Sequence, residues 1–171
     1  REYTTHFSVI DSMGNAVSLT TTINDHYGSK IFVTGAGFLL NNEMDDFSIK
    51  SGVANMYGLT GTEANAIAPN KRMLSSMTPT MVEKDGKLRM ILGTPGGSTI
   101  ITTVFRLVLN VIDHGLGMNE AVGILRFHHQ WLPDIISYEK DAFTPEMQKK
   151  LKNLGYTLKE RGYIGRADCI L

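Results

Sequence analysis

The sequence contains little cysteine and no excess of charge. Cys169 is the only cysteine among 171 residues, which excludes an internal disulfide and a zinc site built from cysteines. Seventeen basic residues balance seventeen acidic ones, and the basic residues form no stripe. This balance argues against nucleic acid as a partner.

Long hydrophobic runs are also missing. The most apolar stretch, residues 91–112, is interrupted by Pro95 and carries Arg106, so no run reaches the roughly 18 residues that a membrane-spanning helix requires. No signal peptide is visible. The hydrophobic fraction of 42% is ordinary for a globular protein, and the length predicts one domain over residues 1–171.

Alternating and periodic patterns predict a mixture of strands and helices. "THFSVID" and "NAVSLTTTIN" alternate around the turn "SMGN", and "TPTMVEKDGKLRMILGT" predicts a second hairpin with "KDGK" as its turn. We expect helices near 100–114, 119–124 and 145–154, strands near 31–33, 38–40, 135–138, 157–160 and 167–171, and a long ordered loop over 48–74. The last strand signal runs to Leu171 without a return strand, and the first hairpin is apolar enough to need covering on both faces. We therefore expect a missing segment or partner.

The stretch "GTPGGSTIITTV" places Gly96 and Gly97 directly before a predicted helix. Backbone N–H groups at a helix start are unpaired, and the helix dipole adds partial positive charge there, so this turn could hold an oxyanion or a phosphate. A plain turn between strand and helix is the alternative. A Walker-type loop is excluded because no Gly-Lys-Ser/Thr follows.

Two further groups of polar residues are candidates for a site. Glu43, Asp45 and Asp46 in "NNEMDDF" form a solvated face, supply a helix N-cap, or bind a cation or a substrate ammonium group. The adjacent hydroxyls of Ser75 and Ser76 either grip a carboxylate or form a turn. These alternatives stay open on the residues alone.

Aromatic residues and histidines offer weaker signals. In "RFHHQW", His128 and His129 are neighbours, and neighbouring side chains of an extended segment point in opposite directions. No carboxylate or cysteine lies at ligand spacing, so we predict no metal site and a structural role for both histidines and for Trp131. Tyr57, in the long loop, is either a lid residue or a surface aromatic.

Thr4 and Thr5 open the first strand. A threonine hydroxyl becomes a nucleophile only when a neighbouring base takes its proton. For a threonine this base can be its own backbone amine, which requires the threonine to be the first residue of its chain, and here three residues precede Thr4.

The chain resembles the small subunit of γ-glutamyltranspeptidases from Thr4 to the last residues. Five motifs carry the resemblance, in this order: "TTHFSVID", "NNEMDDFS", "NKRMLSSMTPT", "GTPGGSTIITTV" and "RFHHQWLPD". The resemblance implies an α+β fold of the N-terminal nucleophile hydrolases, an α-β-β-α sandwich with antiparallel sheets and flanking helices. It further implies that residues 1–171 are one domain of a longer protein, truncated at the C-terminus and lacking the large subunit.

The resemblance also implies a reaction. The precursor would cleave itself between Tyr3 and Thr4, and Thr4 would attack the γ-amide of a γ-glutamyl compound such as glutathione. Thr22 would hydrogen-bond the nucleophile, and the amides of Gly96 and Gly97 would bind the oxyanion. A γ-glutamyl ester would then pass to water, an amino acid or a dipeptide, with no cofactor.

By the same resemblance, further residues would hold the substrate's amino-acid head group. Asn24, Glu43 and Asp46 would bind the α-ammonium, Ser75 and Ser76 would bind the α-carboxylate, and Tyr57 would belong to a lid over the pocket. A carboxylate-binding arginine comes from the large subunit in this family, so the uncut chain alone is expected to be inactive.

The resemblance implies a heterodimer with the large subunit, and a periplasmic or extracellular location. Self-association of the isolated chain stays open. Two alternatives also stay open: a cephalosporin or glutaryl acylase of the same family, and a non-catalytic binding homologue that is never cleaved.

Overall fold

The computed structural model describes residues 3–171, and it confirms a mixed α+β fold. These residues form ten strands and three α-helices. The strands are β1 Thr4–Ile10, β2 Ala16–Thr22, β3 Phe32–Val33, β4 Phe38–Leu39, β5 Thr80–Lys84, β6 Lys87–Gly93, β7 Phe127–His128, β8 Ile135–Glu139, β9 Thr157–Arg161 and β10 Asp168–Ile170. The helices are α1 Thr99–Ile112, α2 Met118–Gly123 and α3 Pro145–Asn153.

Both predicted hairpins and all three predicted helices are present within a few residues of their expected ends. β1 pairs with β2, and β5 with β6, each in antiparallel register. Residues 48–74 hold only a short 3₁₀ turn and isolated bridges, as the long-loop prediction expects. Within residues 3–171, no helix is both long and apolar enough to cross a membrane.

The core lies between helix α1 and strand β6. Ile100, Val104 and Leu107 recur at helical spacing on one face of α1, and all three are buried. They pack against Met90 and Leu92 of β6. Because α1 begins immediately after the glycine turn that follows β6, this packing fixes the position of that turn.

One expectation about the sheets is wrong. We expected antiparallel sheets, but β8 pairs with β9 in parallel over five residue pairs, from Ile135↔Thr157 to Glu139↔Arg161. The reason lies in the connection: α3 carries the chain back to the starting end of β8, and such a helical crossover joins parallel neighbours. β7 adds to the other side of β8 in antiparallel orientation.

The first hairpin lies on the sheet formed by β10, β6 and β5. Ser8 Oγ donates a hydrogen bond to the Asp168 carbonyl at 3.2 Å, and Ser18 Oγ donates to the Leu92 carbonyl at 3.1 Å. The alternate side chains point outward, and Phe7 and Val17 remain 44% and 48% exposed. The hairpin therefore presents an apolar outer face.

His6 sets the spacing between this hairpin and β6. The ring is buried, and its two nitrogens contact Thr20 Oγ1 at 2.7 Å and Ser8 Oγ at 3.1 Å. It lies directly over Gly93, where an added Cβ would meet the His6 Cε1 atom at 2.2 Å. Glycine is thus required at position 93 for steric reasons.

We predict that Gly93→Ala destabilises the protein by about 1–3 kcal/mol, the usual cost of overpacking a filled site. The measurement is the free energy of urea unfolding of the full-length precursor. Adding His6→Ala to Gly93→Ala should recover part of this loss, because removal of the imidazole ring frees the space that the new Cβ would occupy. Unfolding of Gly93→Ala at the wild-type urea concentration would contradict the predicted clash.

Candidate active site

Two threonine hydroxyls face each other at the open end of the first hairpin. Thr4 begins β1 and Thr22 ends β2, and antiparallel pairing places them directly opposite. Thr4 Oγ1 donates a hydrogen bond to Thr22 Oγ1 at 3.2 Å, and Thr22 Oγ1 also accepts from the Asn24 N–H at 2.9 Å. The Thr4 hydroxyl is thereby held in one orientation at the end of a strand.

The glycine turn before α1 lines the same cavity as Thr4, a space of about 860 Å³ that Tyr3 also lines. Gly96 and Gly97 have φ angles of +150° and +56°, which favour glycine. Their carbonyls accept from the first amides of α1, Thr99 N and Ile100 N. Within residues 3–171, their own N–H groups donate to no acceptor, so they are available to a ligand at the start of a 14-residue helix.

Tyr57 lies over this turn and covers part of the cavity. Its hydroxyl donates to Asn24, at 3.0 Å from Oδ1 and 3.2 Å from the carbonyl oxygen. Its ring packs so closely on Gly97 that an added Cβ there would lie 2.7 Å from Tyr57 Cε1. Burial, followed by nearby carboxylates led by Asp46, raises the pKa of the phenol. Tyr57 therefore stays a neutral donor at physiological pH.

Asn24 connects Tyr57 with the threonine pair. The residue is 5% exposed and has a left-handed backbone, with φ +73°. Its Nδ2 donates to the Asn42 carbonyl at 3.3 Å, which joins it to the start of the acidic segment. Thr4, Thr22, Asn24 and Tyr57 thus form one hydrogen-bonded series.

The acidic segment forms a 3₁₀ turn, Glu43–Asp46, rather than a fully solvated face. The pKa of Asp46 is raised to about 6, chiefly by burial and further by the negative charges of Glu43 and Asp45. Burial also raises the pKa of Glu43. Crowded carboxylates of this kind attract a cationic group, because a positive charge relieves their mutual repulsion.

Only some of the residues expected to bind the head group line a cavity in the structure. Asp46 and Ser76 line a second cavity of about 340 Å³, whose wall shares Ser98, His128 and Gln130 with the Thr4 cavity. Glu43 and Ser75 line neither of these two cavities. Ser75 Oγ instead accepts a hydrogen bond from the Met77 N–H at 3.2 Å, as a turn-forming serine does.

The two histidines face different partners. His128 is buried, with Nδ1 2.8 Å from Thr102 Oγ1 and Nε2 2.8 Å from Gln130 Oε1. His129 pairs with Asp134 at 2.8 Å near the surface. Both rings are thus hydrogen-bonded to protein groups.

Sequence reasoning missed part of the cavity wall. Gln130 and the cationic side chains of β9 and the segment after it also line the Thr4 cavity: Lys159, Arg161 and Arg166. Gln130 stands in the motif "RFHHQWLPD", but only its hydrogen bonds in the structure reveal a role. The cations carry no sequence signal, because they reach the cavity through the β8–α3–β9 crossover.

These features of the fold and the cavity agree with one family. The family profile described as Gamma-glutamyltranspeptidase matches residues 1–171, and the chain belongs to this family.

Named relatives support this assignment. The chain is 52% identical to the glutathione hydrolase proenzyme of Escherichia coli (strain K12) over 168 residues, which cover 98% of this chain and 29% of that protein. It is 55% identical to the glutathione hydrolase proenzyme of Pseudomonas sp. (strain A14) over 89% of this chain and 26% of that protein. The chain thus spans less than a third of the length of these relatives.

A solved structure has the same fold. The chain superposes on the Helicobacter pylori gamma-glutamyltranspeptidase T380A mutant with a TM-score of 0.92 and 52% identity, covering 97% of this chain and 89% of that one.

Proposed function

We propose that the protein to which this chain belongs is a γ-glutamyltransferase and glutathione hydrolase, and that residues 1–171 are a small-subunit portion of it. One observation carries the proposal: the Thr4 hydroxyl, bonded to Thr22 at 3.2 Å, lines one cavity with Gly96 and Gly97, whose amides donate to no acceptor among the described residues. A nucleophile and an oxyanion site on one cavity are the two parts that acyl transfer requires.

The proposed reaction begins with cleavage of the Tyr3–Thr4 peptide bond. In the uncut chain the Thr4 nitrogen is an amide and cannot accept a proton, whereas the freed amine can act as the general base. Thr4 Oγ1 then attacks the γ-carbonyl carbon of the donor while the amine takes its proton. The tetrahedral oxyanion is bound by the Gly96 and Gly97 amides, each typically worth about 3 kcal/mol of barrier.

Collapse of this intermediate breaks the γ-amide bond and releases the leaving amine, which takes the proton held by the Thr4 amine. A γ-glutamyl ester on Thr4 remains. Water or the amino group of an amino acid or dipeptide then attacks the ester and gives its proton to the same amine. The ester C–O bond breaks, and that proton passes to Thr4 Oγ1, which restores the hydroxyl. No cofactor takes part in these steps.

The head group of the donor is proposed to lie between the acidic segment and the serines. Asn24, Glu43 and Asp46 would bind its α-ammonium, supported by the raised pKa values of both carboxyls. Ser75 and Ser76 would bind its α-carboxylate. Ser98, His128 and Gln130 line both cavities, which supports a head group bound where the two cavities meet.

A large subunit from the same precursor is the proposed partner, completing an α-β-β-α sandwich. The apolar outer face of the first hairpin, with Phe7 and Val17 about half exposed, supports this proposal. Without that subunit we expect the chain to be inactive. An exported location, periplasmic or extracellular, is proposed on the family resemblance alone.

We predict opposite effects of Asp46→Asn on activity and on stability. Loss of the charge facing the ammonium should lower kcat/KM by about 100-fold. Asp46 titrates near 6 in the folded protein and near 3.8 ordinarily, so its ionisation weakens folding as pH rises through 6. The variant should thus be more stable than wild type at pH 8, by roughly 1 kcal/mol after solvent screening, and equally stable near pH 3.

Thermal unfolding of both proteins at these two pH values tests the prediction, beside kinetics with a γ-glutamyl donor. Wild-type kcat/KM in Asp46→Asn would exclude Asp46 from substrate binding. A stability difference that is the same at both pH values would contradict the shifted carboxyl.

The proposed function is tested by expressing the full-length precursor and assaying γ-glutamyl-p-nitroanilide beside a glutaryl amide and a cephalosporin. We expect turnover of the γ-glutamyl donor and a new N-terminus at Thr4 by mass spectrometry. Turnover of only the glutaryl or cephalosporin substrate would identify an acylase. An intact, inactive precursor would identify a binding homologue.

A further inference from the structure

A side chain from the turn that follows β7 binds the backbone of the segment around Tyr57. Gln130 Nε2 donates a hydrogen bond to the Tyr57 carbonyl at 3.0 Å. The next residue, Gly58, approaches the same turn so closely that an added Cβ would lie 3.3 Å from Pro133 Cδ and 3.7 Å from Gln130 Nε2. Residues 55–58, here called the cover segment, therefore rest on the turn that follows β7.

The orientation of the Gln130 amide follows from its contacts. Its Nε2 also donates to the Leu132 carbonyl at 3.1 Å, so both N–H groups have carbonyl acceptors. Oε1 consequently faces His128 Nε2 at 2.8 Å, and that nitrogen must carry the hydrogen. Burial lowers the pKa of His128 and favours its neutral form, so Nδ1 is an acceptor. The single hydrogen of the Thr102 hydroxyl has two acceptors in reach, and His128 Nδ1 at 2.8 Å is nearer than the Thr99 carbonyl at 3.1 Å.

The series Thr102, His128, Gln130 and the Tyr57 carbonyl thus joins helix α1 to the cover segment. α1 itself is fixed in the core, and His128 is 6% exposed, so the series starts from rigid parts of the fold. At the other side of the segment, the Tyr57 hydroxyl reaches Asn24. The Tyr57 ring is held over Gly97 by these two attachments.

We propose that Gln130, oriented by His128 and Thr102, is a positioning residue that holds the cover segment over the Thr4 cavity. Gln130 lies in the wall shared by the two cavities and contacts the segment through its backbone, so it acts whatever side chain the segment carries. The effect on substrate binding rests on the proposed function. The attachment of the segment does not.

The test uses the full-length protein with Gln130→Leu and Gln130→Glu. Leucine removes all polar contacts, whereas glutamate keeps the size and the acceptor for His128 but, when ionised, has no N–H for the Tyr57 carbonyl. Asp134→Asn, an exposed neighbour outside both cavities, is the matched control. Hydrogen–deuterium exchange over residues 53–61 reports on the segment without reference to activity.

We expect both Gln130 variants to exchange at least about 10-fold faster over residues 53–61, the effect of losing one hydrogen bond and leaving a carbonyl unpaired. Exchange in β6 and α1 should match wild type. KM for the γ-glutamyl donor should rise about 10-fold in both variants while kcat changes less, because the cover acts on binding and Thr4 is untouched. Asp134→Asn should resemble wild type in every measurement.

Exchange over residues 53–61 at the wild-type rate in both variants would overturn the proposal. So would faster exchange throughout β6 and α1, since that result indicates general destabilisation. Faster exchange confined to the segment, with no γ-glutamyl turnover even in wild type, would support the attachment and contradict the proposed function. Faster exchange with unchanged KM in an active protein would contradict the role in binding.

Discussion

Thr4→Ala in the full-length precursor should abolish both self-cleavage and γ-glutamyl transfer. The change removes the protein oxygen that attacks the donor in the proposed mechanism, and loss of such a nucleophile in acyl-transfer enzymes costs about 10⁴-fold or more in kcat. The precursor should migrate as one uncut chain. Because Thr4 is half-buried at a strand end and its hydroxyl makes one hydrogen bond, we expect the fold to be kept.

Thr4→Ser is the matched control. Serine keeps the hydroxyl and loses only the methyl group, so cleavage and activity should persist at a reduced level. Circular dichroism of both variants should match wild type. Full activity in Thr4→Ala would remove Thr4 from the mechanism, whatever the behaviour of the serine variant.

Gly97→Ala should lower kcat by about 10²–10³-fold, the usual cost of losing one oxyanion donor. The new Cβ would lie 2.7 Å from Tyr57 Cε1, and residue 97 has φ +56°, which an L-residue adopts at a cost. The backbone turn or the Tyr57 ring must therefore move, and either movement disturbs the turn that lines the Thr4 cavity. The measurement is kcat for γ-glutamyl-p-nitroanilide with the processed enzyme.

Gly115→Ala provides the control for backbone strain. Gly115 follows the other end of α1 with a similar φ of +68°, but an added Cβ there has no atom within 4 Å. It should lower stability slightly, by about 1 kcal/mol, and leave kcat unchanged. Equal losses of kcat in both variants would show that strain in α1, rather than the geometry of the Gly97 turn, controls the rate.

The local parts of the fold were predictable from the sequence because their signals are local. The β1–β2 hairpin follows from strict alternation around "SMGN", and α1 follows from apolar spacing after two glycines. The opposition of Thr4 and Thr22 follows once the hairpin register is known. Such features depend on residues that are close in the sequence.

Features that depend on distant residues were not predictable. The parallel pairing of β8 with β9 is set by the path of α3, and no residue in either strand encodes the direction of its neighbour. Gln130 reads as an ordinary polar residue until its amide is seen against the Tyr57 carbonyl, 73 positions away. Likewise, the wall shared by the two cavities is formed by residues 98, 128 and 130, and only the folded chain brings these residues together.

The most direct test of the account is to identify the atom that carries the acyl group. The processed full-length enzyme is mixed with a γ-glutamyl donor, quenched in acid during turnover, digested and sequenced by mass spectrometry. We predict a γ-glutamyl ester on the hydroxyl of Thr4, in a peptide whose first residue is Thr4. An acyl group on any other residue, or turnover by a chain in which Tyr3 is still joined to Thr4, would contradict the account.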